Sequence, residues 1–242
     1  WLACEFMDSG WDVKHMVRLI VNSEAYQRTS VPSKKQRSRD PLNRELAGQS
    51  RWRLDAELVR DNALAVSGLL VGDKIGGPSV KPYQPDGYWE NLNFPVRSYD
   101  PSMGSDQYRR GLYVWWQRSY LHPSMVAFDA PTREECAAER NRSNIPQQAL
   151  VLLNDPTYIE AARALAVRML TEGGGNTQAR LTWAWRQVLS RTPRADELKT
   201  MEALLDQQLA AYRADPAAAQ ALLKIGQSLL PQAADSAEVA AW

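Results

Sequence analysis

Nine of the chain's 14 prolines fall between Pro78 and Pro156, and ten of its 21 aromatic residues fall between Tyr83 and Tyr120. This coincidence constrains the fold more than any other feature. Proline removes a backbone donor and breaks helix and sheet interiors, so no long regular element can cross the block. A flexible linker would carry prolines but few rings, because nothing drives a linker to bury them. The block therefore reads as an ordered, irregular substructure set between helices. Within it, Pro85-Asp86-Gly87 is a turn with a mechanism: proline sets φ, aspartate bonds nearby backbone, and glycine accepts positive φ. Leu112 to Arg118 stays open between a two-faced strand and a turn of buried helix, since short apolar runs do not separate the two.

On either side the patterns are helical. Ser9-Gly-Trp-Asp12 reads as a capping box before Val13, Met16, Val17, Ile20 and Val21. Gln27 to Arg39 reads as a polar loop, and Asp40-Pro41 as a helix start. Leu54, Leu58, Ala65, Leu69 and Leu70 give an amphipathic helix between Arg53 and Leu70. On it, Glu57, Arg60 and Asp61 read first as exposed charges and second as a buried network. Thr132-Arg-Glu-Glu135 is a capping box that predicts a helix through Arg142, with Cys136 buried on it as a small hydrophobe. Pro146, Asp155-Pro156, Thr192-Pro193 and Asp215-Pro216 mark further starts, and Gly173 to Gly175 a stop. The expected fold is mainly α, with at most a small β element. We expect one domain over residues 1–242: N-terminal helices to residue 71, the irregular section over 72–130, and C-terminal helices over 131–242. The chain opens at Trp1 without methionine and ends in an apparent helix, so it reads as a fragment of something longer.

Composition narrows the chemistry. With 29 basic and 28 acidic residues the formal net charge is +1, which gives no global reason to expect nucleic acid as a partner. Lys34, Lys35, Arg37 and Arg39 cluster locally and read as a solvated loop, with an anion contact as the alternative. No run of 18 apolar residues offers a membrane span. Cys4 and Cys136 form no CxxC or CxxCH, so no haem attachment or thiol zinc pair lies in this chain. His15 and His122 are too few and too far apart for a catalytic zinc site. Asp86, Glu90, Asp129 and Asp155 lack EF-hand spacing, so no metal site is assigned.

Carboxylates, arginines and rings of the middle block remain. Asp86, Glu90 and Asp129 are the catalytic candidates, as acid, base or nucleophile of glycoside chemistry. Tyr83, Trp89, Tyr113 and Trp116 offer apolar faces with polar edges for sugar rings. Arg109, Arg110, Arg118 and Arg133 offer forks for carboxylate, sulfate or phosphate. The structural alternatives stand beside these: paired rings in a core, Asp86 as a turn former, and arginines paired with the chain's own acids.

Seven stretches are familiar in order: Ser9-Gly-Trp-Asp-Val-Lys14, Arg53-Leu-Asp-Ala-Glu57, Gly76-Gly-Pro-Ser-Val80, Tyr83-Gln-Pro-Asp-Gly87, Tyr108-Arg-Arg-Gly-Leu-Tyr113, Phe128-Asp-Ala-Pro131 and Gln148-Ala-Leu-Val-Leu-Leu-Asn-Asp155. Over about residues 8–195 the chain resembles domain of unknown function 1553, the planctomycete cytochrome-associated C-terminal domain. The resemblance implies an extracytoplasmic setting, a companion domain upstream, and haem c held only in an upstream c-type cytochrome domain. Cys4 departs from the commoner pattern while Cys136 follows it, so no Cys4–Cys136 bond is implied. No family activity carries over to any residue. The leading expectation is a module that binds, or helps to process, extracellular polysaccharide. The rivals are a carboxylate-based or haem-coupled enzyme, and a structural domain docking its companion.

Overall fold

The computed structural model describes residues 1–88, 98–117, 121–231 and 235–242. The expected mainly α architecture is present: among the described residues there are eleven α-helices and no strand. None of these helices is long and apolar enough to cross a membrane. The chain divides into two compact units, Trp1–Arg53 and Leu54–Trp242.

The first unit holds α1 (Leu2–Asp8), α2 (Val13–Val21) and α3 (Lys34–Arg39). Asp12, rather than Ser9, caps α2 by accepting from the His15 amide at 3.0 Å. Ser9 ends α1 instead, its hydroxyl donating to the Phe6 carbonyl. A helix, not a loop, forms at α3, because Ser33 and Gln36 bond each other's backbone amides reciprocally. Asp40-Pro41 starts no helix. Asp40 ends α3 and turns its carboxylate onto the Glu45 amide. No residue of this unit is fully buried, so local bonds rather than a core hold it.

The second unit is built on α4 (Ala56–Ser67), α5 (Pro123–Ala127), α6 (Pro146–Asn154), α7 (Pro156–Glu172), α8 (Thr177–Leu189), α9 (Ala195–Ala214), α10 (Pro216–Leu223) and α11 (Ser236–Ala241). Helix α7 is central, packing against α4, α6, α8 and α11. Proline opens α6, α7 and α10, and Asp155 and Asp215 cap the last two, where the Pro signals placed them. Gly173 ends α7. The Thr192-Pro193 signal is two residues early, since Arg194 is the cap of α9. One apolar cluster joins Ala56, Val114 and Met125 with Trp116 and Phe128. Another joins Ala166, Leu223 and Val239 with Leu170 and Trp242.

Between α4 and α5 the described residues form two 3-10 turns, Gly104–Tyr108 and Gly111–Tyr113, and two isolated parallel bridges, Val71 to Arg109 and Val80 to Val114. The Leu112 to Arg118 run is thus neither strand nor α-helix over its described residues. Gly111 allows its turn to press on α4, because a Cβ there would sit 2.8 Å from the Glu57 backbone. The predicted helix over Thr132 to Arg142 is absent. Arg133 sits at φ 62°, a left-handed conformation that an α-helix excludes. The segment has no apolar stripe to bury, and Thr132 to Glu139 are exposed. Cys136, expected inside, is exposed, as is Cys4; both are free thiols.

Candidate functional site

The charged residues of the middle block are largely turned onto backbone. Arg60 is 1% exposed and donates to the carbonyls of Arg109 and Gln107, each at 2.6 Å. This is the buried network, not the exposed cation first expected. Burial pushes its pKa down, while neighbouring Asp61 opposes the shift. Asp61 accepts from the Gly111 amide at 2.6 Å. Arg109, fully buried, donates to the carbonyls of Pro78 and Gly76. Its guanidinium lies 4.4 Å from the centre of the Tyr113 ring, and the Tyr113 hydroxyl accepts from the Gly76 amide. The Gly76-Gly-Pro78 stretch is therefore a loop wrapped around an arginine. Positive φ at Gly76 and Gly77 lets it turn its carbonyls inward.

A second anchor was not singled out in the sequence. Glu160 on α7 is 1% exposed and accepts from the Tyr108 hydroxyl and the amides of Gln227 and Ser228, at 2.6 to 2.7 Å. Arg163 stands 3.5 Å away and donates to the Leu223 and Ser228 carbonyls. Gly226, at φ 91°, lies so close that a Cβ would collide with the Glu160 carboxylate. Tyr83 reaches toward the same place. Burial, then the Glu160 charge, pushes its phenol up to about 12, and its buried hydroxyl completes no well-directed bond. His122 is also buried, between the Ser124 hydroxyl (2.8 Å) and the Tyr83 carbonyl (2.6 Å). Burial lowers its pKa to about 4, so it is neutral at pH 7, with the Nε2 proton directed at the carbonyl. A glutamate or histidine among helical or loop residues carries no local sign of such burial.

An open polar cavity of about 490 Å³ lies elsewhere in this unit, lined by Asp129, Thr132, Glu135, Cys136, Glu139 and Arg140 among others. Asp129, held at φ 61°, accepts from the Ser143 amide at 2.7 Å and from its hydroxyl at 2.9 Å. Arg140 grips Glu57 through both terminal nitrogens. Burial raises the Glu57 pKa, and the Arg140 fork more than offsets it, holding the carboxyl below its usual range. Beside the cavity, Arg133 stacks 4.1 Å above the Trp116 ring, whose Nε1–H donates to the Thr132 carbonyl.

Of the predicted residues, Asp129 lines this cavity, while Trp116 and Arg133 stack on each other beside it, with Trp116 bonded to Thr132 of its wall. The others do not join them. Asp86 sits exposed at its turn, with Gly87 at φ 74° as its sequence required. Arg110 is exposed and donates to the Gly72 carbonyl at 3.4 Å. Arg109, Tyr113 and Tyr83 belong to the inner network. Glu90, Trp89 and Arg118 lie outside the described residues. Among those residues no group of three or more His, Cys, Asp and Glu is placed to hold a metal. The cavity offers hydrogen-bond acceptors and a thiol, with the Arg133–Trp116 pair beside it, which suits binding of a hydroxyl-rich ligand.

No curated protein and no solved structure matches the chain. A family model described as protein of unknown function (DUF1553), PSD1, matches residues 1–205. That span takes in α1 to α8, the middle block and the Arg60, Arg109 and Glu160 anchors, so the chain belongs to the DUF1553 family.

Proposed function

We propose that the chain is a non-catalytic binding module of a larger extracytoplasmic, c-type-cytochrome-linked protein that handles polysaccharide, with haem c held in an upstream domain. One observation carries the reading: the candidate acid Asp129 is occupied by Ser143 in an open polar cavity beside Trp116, while Asp86 does not line that cavity. A glycosidase needs two carboxyls facing one bond, one of them held protonated by burial; Glu135 and Glu139 share the cavity with Asp129 but stand exposed. A binding cavity needs convergent polar groups, and a neighbouring ring adds an apolar face for a sugar. Purified chain on a glycan array tests this. Binding of at least one polysaccharide without change in its length is expected, and silence across neutral, uronate and sulfated glycans would sink the reading.

A docking role toward the companion domain is favoured by a separate feature. Val13, Val17 and Ile20 share one face of α2 and remain 64%, 53% and 45% exposed. An apolar helical stripe is normally covered. Coexpression of the companion domain with wild-type chain and with Val17→Asp checks the idea: co-purification is expected to fail only for the variant, and equal recovery overturns it.

A further inference from the structure

Between Arg28 and Arg53 eight basic residues face two acidic ones, although the whole chain carries only +1. This segment is ordered by side chains that clasp backbone. Arg28 donates to the Leu46 carbonyl, Asn43 exchanges two bonds with Gly48, and the Arg51 Nε–H donates to the Ser30 carbonyl. Together these clasps and α3 enclose a cavity of about 610 Å³ lined by Gln36, Arg37, Arg39, Asn43, Gln49 and Arg51, among others. Two carboxylates also line it. Asp40 is held by the Glu45 amide at 2.6 Å, and Glu45 pairs with Arg39 at 3.2 Å. Both acids are thus engaged within the loop, while Arg37 and Arg51 pair with no carboxylate among the described residues. The clasps hold cationic forks around a concavity without any hydrophobic core, a costly arrangement unless an anion shares it.

We propose that this cavity binds an anionic polysaccharide, its sulfate esters or uronate carboxylates seated on Arg37 and Arg51 and its hydroxyls on Asn43, Gln36 and Gln49. Guanidinium forks pair with planar or tetrahedral oxyanions, and neutral amides complement hydroxyls. A single-stranded nucleic acid would need rings on which its bases stack, and no aromatic residue lines the cavity. This site rests on the polysaccharide-module reading and names the ligand class for it.

The full chain is titrated with dextran sulfate, polygalacturonate, neutral dextran and a DNA oligonucleotide, in low and raised salt. Dextran sulfate or polygalacturonate is expected to bind, the stronger of the two identifying the anion, with affinity falling as salt rises. Arg37→Gln with Arg51→Gln is expected to weaken that binding by about tenfold or more, the scale of lost charge-assisted bonds. The Arg37 side chain makes no hydrogen bond or ion pair among the described residues, so Arg37→Gln alone should weaken binding in part, which guards against a folding artefact. The control pair Lys199→Gln and Arg213→Gln removes the same charge from α9 and should leave it unchanged. An equal loss in the control, unchanged binding in the cavity variants, or DNA binding as tight as dextran sulfate would each overturn the assignment. Binding of neutral glycans alone overturns this site and leaves the module reading standing. Binding of no glycan defeats both.

Discussion

Glu160 and Arg109 show how single side chains hold this molecule. Each places several hydrogen bonds on backbone groups far away in sequence, so each fixes a loop rather than a helix. Glu160→Gln keeps the shape but removes the charge that balances Arg163. Breaking a buried pair in this way costs about 3 kcal/mol or more, which urea unfolding should register. Gly226→Ala drives a methyl group into the same carboxylate and should cost a similar amount. Gly76→Ala meets nothing within 4 Å, so only its left-handed φ counts against it, at about 1 to 2 kcal/mol. His122 makes stability depend on pH. Its pKa is about 4 when folded against 6.5 as the reference value, so between these values the unfolded chain binds more protons. Stability is unaffected by this group above pH 6.5 and falls as pH drops from 6.5 toward 4, by about 3 kcal/mol in all. His122→Gln should flatten that part of the pH–stability curve, and an unchanged slope would contradict the buried neutral assignment.

At the scale of elements, the starts of α7 and α10 were legible because an aspartate cap and a proline act within one turn, and that of α6 from its proline alone. The same local logic failed at Thr132 to Arg142, where a capping box has no apolar stripe behind it to bury. Its Arg133 instead stacks on Trp116. Arg133→Gln is therefore expected to cost about 1 kcal/mol from the lost cation–π contact. Arg133→Ala in an ordinary helix would instead gain helix propensity, and stabilisation by that substitution would contradict the irregular path. The burial of Arg60 was out of reach because its carbonyl partners lie at Gln107 and Arg109, 47 and 49 positions along the chain. The turn at Pro85 to Gly87 was readable and correct, yet the same residues gave no hint that Asp86 would stand apart from Asp129. Position along the chain brought the candidates into one block; only the fold separates those that serve the Arg109 loop from those at the cavity.

Over the whole chain, the two compact units differ in how they are held. Residues 54–242 enclose apolar clusters and a buried polar network, whereas no residue of 1–53 is fully buried. Segments without buried contacts open at low free energy. Limited proteolysis should accordingly cut first within residues 1–53 and leave a resistant fragment containing α4 to α11. Added anionic glycan should protect the 30–51 loop selectively. In the proposed reading, the polar groups of the middle block bind and brace rather than catalyse. The most direct measurement incubates the purified chain with the polysaccharides it retains on an array and sizes them afterwards. Bound glycan of unchanged length and oxidation state is expected; shortened or oxidised products, lost again in Asp129→Asn, would overturn the binding-module reading.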